Sequence, residues 1–92
     1  MTITIQIGNT DDKLPQSIWA HYVAAMKLKV ETICDQVHFF GGSETYAPWQ
    51  NACWVVECRA ECRSELMNAI CHVRTSFAQE SVAVTCGETD FV

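Results

Sequence analysis

The chain has 92 residues, 49% of them hydrophobic, and sets six Lys and Arg against eleven Asp and Glu for a formal charge of −5. One domain covering 1–92 is expected, long enough to bury roughly two-thirds of its unfolded surface around a single core. The apolar content argues against intrinsic disorder. No run approaches the ~20 apolar residues of a membrane-spanning helix, and the acidic balance argues against independent binding to phosphate backbones.

Residues Thr2 to Ile7 alternate strictly, with Ile3, Ile5 and Ile7 on one face and Thr2, Thr4 and Gln6 on the other, which predicts a half-buried strand. The same opening stretch has neither a basic region nor a continuous apolar run, so no secretory signal is expected and the domain reads as soluble and intracellular. Gly8 to Asp12 carries turn residues, and Pro15 suits the first turn of a helix. From there Trp19, Tyr22, Met26, Val30, Ile33 and Val37 recur at steps of three and four, opposite a polar side of His21, Lys27, Glu31 and Asp35. The spacing predicts an amphipathic helix of about five turns.

Val37 to Phe40 predicts a short strand closed by Gly41-Gly42, and residues 41 to 50 a surface loop. Asn51 to Cys58 predicts a third strand with Cys53, Val55 and Glu57 outward and Trp54, Val56 and Cys58 inward. A second helical stripe follows at Cys62, Leu66, Ile70, Val73 and Phe77, and Ser81 to Cys86 alternates again. The order β-α-β-β-α-β, with one apolar face per element, predicts an α+β ferredoxin-like two-layer sandwich. Its antiparallel sheet would have spatial order 4-1-3-2 and carry both helices on one face.

Six cysteines fall at Cys34, Cys53, Cys58, Cys62, Cys71 and Cys86, mostly inside these apolar patterns, and read as structural thiols in a reducing compartment. Cys58 and Cys62, with His72 beside Cys71, supply at most half of a zinc signature, so no metal or cofactor is expected. The open face of the sheet would present Thr4, Gln6, His38, Phe40, Val55, Glu57 and Thr85. It lacks the basic-flanked aromatics through which sheets of this topology bind RNA. His38 could meet Cys53 or Glu57 across the sheet. No histidine stands in a nucleophile motif and Gly41-Gly42 opens no phosphate loop, so no catalytic residue is assigned.

The segment Ser43 to Gln50 places Tyr46 and Trp49 beside Pro48, and Tyr and Trp are favoured interface anchors. Two readings of Trp49 stand side by side, an exposed anchor or a cap folded back on the core. Glu44, Glu31 and Asp35 are expected to surround it, with Asp11 and Asp12 as a second acidic corner, forming a surface suited to a basic partner.

Three segments, His38-Phe39-Phe40-Gly41-Gly42-Ser43, Pro48-Trp49-Gln50-Asn51 and Gly87-Glu88-Thr89, together with the size, acidity and element order, resemble phage anti-CRISPR proteins. The nearest group is the eighth family of inhibitors of the type I-F surveillance complex. The resemblance spans nearly the whole chain. It implies a monomeric, non-enzymatic protein in the cytoplasm of the infected bacterial host. Such a protein binds protein subunits of the crRNA-guided complex, with contact to the guide RNA left open, and blocks target DNA recruitment or hybridisation. Candidate contacts under that reading are Asp11, Asp12, Glu31, Asp35, Glu44, Tyr46 and Trp49. A reading of another class is a small dimeric α+β-barrel enzyme, with Asn51, Trp54 and His72 as its polar cluster; an adaptor for another protein partner is a third.

Overall fold

The computed structural model describes residues 1–9, 13–44 and 47–92. The elements run β1 (Thr2–Asn9), α1 (Gln16–Ile33), β2 (Gln36–Gly42), β3 (Gln50–Glu57), a 3-10 turn (Ala60–Cys62), α2 (Arg63–Ser76) and β4 (Ala83–Gly87). The strands form one four-stranded sheet in the order β2-β3-β1-β4, with every adjacent pair antiparallel. This is the expected ferredoxin-like sandwich. Among the described residues no helix is long and apolar enough to cross a membrane.

The inward rungs of the central pair are Ile3 opposite Val56, Ile5 opposite Trp54 and Ile7 opposite Ala52; the outward ones set Thr4 against Val55 and Gln6 against Cys53. The inward residues are at most 5% exposed and join Tyr22, Met26, Val30, Leu66, Ile70 and Val73 of the helices in one core. Each large apolar side chain removed from water there contributes about 1.5–3 kcal/mol. Tyr22 links the two helices, with its ring 6.0 Å from Trp19 and 5.0 Å from Phe77. Its hydroxyl and the Trp54 indole N–H are buried without a partner among the described residues. That burial also pushes the Tyr22 pKa up.

Several boundaries differ from the periodicity; Gly41 and Gly42 belong to β2 and Gln50 to β3 rather than to the expected loop, and β4 opens at Ala83. Pro15 is the N-cap of α1, and its carbonyl accepts the Trp19 N–H at 2.8 Å. Val37 shares the helical spacing but lies in β2, because α1 stops at Ile33 and the chain turns back beside Glu57 at Asp35. The strand β2 also slips register between Val37 and Phe39, so Phe39 pairs with Val55 and Phe40 with Trp54. A β-bulge inserts one residue and reverses the alternation beyond it. Phe40 therefore stands on the helix side of the sheet, its ring 5.1 Å from that of Trp54 and beneath the Lys27 ammonium at 4.6 Å. The open face carries Phe39 instead of the expected Phe40.

Two backbone positions are decided by close approach and by handedness. A Cβ on Gly42 would lie 2.1 Å from the Asn51 carbonyl oxygen and 3.0 Å from Ala52 Cα, both backbone atoms. Beyond the end of α2, Ala78 adopts φ 55°; its N–H bonds the Thr75 carbonyl and the Gln79 N–H bonds that of Arg74, each at 3.0 Å. These are the paired bonds of a helix C-terminus that glycine ordinarily closes. Gly42→Ala is expected to destabilise by about 1–3 kcal/mol through overpacking. Ala78→Gly should stabilise by about 0.5–1 kcal/mol, as relief of left-handed strain outweighs the added chain entropy. Urea midpoints of both variants at unchanged slope check the two signs.

Candidate functional site

The sheet end where β2 leaves and β3 enters brings together two of the sequence segments singled out above. Gly42 pairs with Ala52, the Ser43 N–H donates to the Asn51 carbonyl at 3.0 Å, and the Asn51 N–H donates to Ser43 Oγ at 2.9 Å. The Asn51 side-chain amide donates to the Trp49 carbonyl at 3.3 Å, and the Ala47 N–H closes a turn on the Glu44 carbonyl at 3.1 Å. The Trp49 side chain takes no share in the core, being 61% exposed, which decides between its two readings in favour of exposure. Glu44 is exposed at the same end.

Next to this end lies a cleft of about 650 Å³ between α1 and β2, walled by Trp19, Val23 and Phe40 and rimmed by Ser43, Glu44 and Gln50. Its polar corner is ordered by an amide network. Gln16 and Gln50 exchange hydrogen bonds at 3.0 and 2.8 Å, and Asn9 donates to Gln50 Oε1 at 3.3 Å. Asn9 also clasps both backbone groups of Leu14, at 2.9 and 3.0 Å. With Asn9 and Gln50 at 0% and 3% exposure, this network locks the start of α1 to the end of the central strands.

Glu31 and Asp35 do not surround Trp49. The helix starts beside the Asn9 end of β1 and finishes beside its Thr2 end, and its 18 residues span about 27 Å. Asp35 caps the far end, its N–H on the Glu57 carbonyl at 3.0 Å and its carboxylate 3.3 Å from Arg59 Nε. Glu31 is exposed on the helix towards that far end. Glu44 and Trp49 thus lie at the end of the sheet away from Glu31 and Asp35, and Asp11, Asp12 and Tyr46 lie outside the described residues. The polar cluster of the enzyme reading is also dispersed: Asn51 is exposed opposite Gly8, Trp54 faces the core and His72 is exposed on α2.

A second polar constellation sits at the Thr2 end. Glu57 accepts a hydrogen bond from Thr2 Oγ1 at 2.5 Å, lies 3.2 Å from His38 Nε2 and pairs with the Met1 amine at 3.3 Å. Of the two partners considered for His38, the fold provides Glu57. The C-terminal segment adds Thr89, hydrogen-bonded to Thr2, and Phe91, whose ring is 6.3 Å from that of His38. The Thr2 and His38 hydrogen bonds hold the Glu57 carboxyl down at about 2. Periodicity placed neither Thr89 nor Phe91 in this group, because they join it only by folding back from β4.

All six cysteines are free thiols, and five are buried or half-buried as their patterns suggest. Cys34, at the end of α1, is pushed up to about 12 by burial and by its neighbour Cys58, which is itself raised by burial. Cys71 is the exception. It is exposed, receives a hydrogen bond from Arg74 Nη2 at 3.3 Å, and has its pKa lowered by that contact. Among the described residues no group of three or more His, Cys, Asp or Glu side chains is placed to hold a metal ion.

No protein-family model, curated protein or solved structure matches the chain.

Two measurements follow from these groups. Because the folded-state pKa of Glu57 lies below its ordinary 4.5, its contribution to stability is complete above that value and fades as pH falls towards about 2. Glu57→Gln should therefore be less stable than the parent at pH 7, and the gap should close over that window in pH-dependent urea unfolding. With limiting iodoacetamide near neutral pH, mass spectrometry should find Cys71 alkylated first and Cys34 and Cys58 last, and Arg74→Ala should slow the reaction at Cys71.

Proposed function

We propose that this protein is a phage-encoded inhibitor that binds protein subunits of the crRNA-guided type I-F surveillance complex and keeps target DNA from being recruited or paired with the guide. It would act without catalysis, as a monomer, in the cytoplasm of the infected host. The observation that carries this reading is the exposure of Trp49 at the same end of the sheet as the exposed Glu44. That surface lies where the segments 38–43 and 48–51, which resemble the inhibitor family, are tied together by the Ser43–Asn51 hydrogen bonds.

The physics of such a contact is compatible with this chain. Subunits that hold nucleic acid expose Lys and Arg, and a chain of charge −5 is drawn towards them. That charge is too small for imitation of a DNA duplex, so affinity must come from buried apolar anchors. An exposed Trp is the side chain best suited to that task. Asp35 is the weakest of the acidic candidates, since its carboxylate already faces Arg59.

The test is a gel shift of double-stranded target by a purified type I-F complex, with and without this protein. The protein is expected to co-elute with the complex and abolish the shifted band. Trp49→Ala combined with Glu44→Lys should weaken inhibition at least about tenfold, a loss near 1.4 kcal/mol, with the circular dichroism spectrum unchanged. Failure of the parent protein to bind the complex sinks this reading.

A further inference from the structure

We propose that the free edge of β2 and the cleft beneath α1 together take up an extended segment of a partner polypeptide, joined to the sheet by strand addition. One of its apolar side chains would enter the cleft, and a basic side chain two residues on would meet Glu44. This inference concerns a surface of the isolated protein and needs no surveillance complex.

The first support is the edge itself. Among the described residues β2 ends the sheet and pairs on one side only, with β3, so its outward N–H and C=O groups face away from the other strands. Such an edge templates further pairing unless a charge, a proline or a distortion blunts it. Gln36–Gly42 contains no Lys, Arg, Asp, Glu or Pro. Its bulge lies between Val37 and Phe39, which leaves Phe39 to Gly42 as a regular ladder. The opposite edge, β4, is shorter at five residues and runs directly into Glu88 and Asp90.

The second support is what flanks the edge. A strand added beyond β2 would run about 4.8 Å away and send alternate side chains to the helix side, spaced about 7 Å apart. On that side lies the cleft, walled by Trp19, Val23 and the half-exposed Phe40, which suits one apolar side chain. Extended segments bind this way elsewhere, with main-chain bonds supplying affinity and side-chain pockets selecting sequence.

Charge then fixes the polarity of the guest. Glu44 stands at the Gly42 end of the cleft, while the Lys27 ammonium lies over the Phe40 ring at 4.6 Å. A cation is favoured at the first position and repelled at the second. A second copy of this chain is a poor occupant, because its own β2 carries no Lys or Arg to offer Glu44.

The experiment uses the full chain, isotope-labelled, with an acetylated and amidated polythreonine peptide carrying one leucine and, two positions on, one lysine. The peptide is expected to slow amide exchange along β2 and shift the resonances of Phe40 and Ala20. Ala20→Trp, an exposed position that fills the cleft mouth, and Glu44→Lys should each weaken binding at least about tenfold. Both variants should keep the dispersed spectrum of the folded parent. N-methylation of the peptide's alternate amides on its pairing edge should abolish binding. Three results would each overturn the proposal: no protection of β2, equal binding by the N-methylated peptide, or β2 protection in the free protein that grows with its concentration.

Discussion

The last rung of the central strand pair, Asn9 opposite Gln50, is the constraint on which the architecture depends. Both side chains are buried, and a buried amide left without partners costs about 1–3 kcal/mol. Their hydrogen bonds tie the ends of the central strands to the Leu14 backbone ahead of α1 and to Gln16 in its first turn. Register follows from the same rung. A slip of one residue would turn Ile3, Ile5 and Ile7 to water and bury Thr4 and Gln6. The apolar alternation and the amide network therefore demand the same pairing, which is what a single well-defined native state requires.

The bulge in β2 has the largest consequence for the surface. With uninterrupted alternation, Phe40 would lie on the open face and the cleft under α1 would lose one wall. One inserted residue delivers Phe40 to the helix side against Trp54 and Lys27, and leaves Phe39 outside at 53% exposure. Gly41 completes the change, since the Phe39 ring occupies the space where a Cβ would stand, its Cζ 2.7 Å away. Two adjacent phenylalanines thus serve opposite faces of one edge strand.

The charges divide in a way that bears on recognition. At the Thr2 end, Asp35 and Glu57 are engaged by Arg59, Thr2, His38 and the Met1 amine, so their role is to fasten chain segments. At the other end Glu44 and Trp49 stand exposed, held by backbone and side-chain bonds of the Ser43–Asn51 hairpin base. Both an exposed acid and an exposed aromatic ring stand at this end of the molecule. The inhibitor reading and the strand-addition reading share Glu44 and part at their second feature, Trp49 in one case and the β2 edge in the other.

Element type and order were legible without coordinates. Strict alternation in Thr2 to Ile7 and the three-and-four spacing from Trp19 to Ile33 report local geometry, and local geometry is repeated along the chain. The inward placement of Trp54, Val56 and Cys58 followed from the same rule. What tertiary structure alone decided were events that break a repeat or join distant residues. These include the end of α1 before Val37, the reversal at the β2 bulge, the exposure of Trp49 and the separation of Glu31 and Asp35 from Glu44 by the length of a helix. They also include the return of Thr89 and Phe91 to Thr2 and His38. A bulge costs little locally and is settled by packing against the neighbouring strand and helix, so periodicity in one segment carries no trace of it.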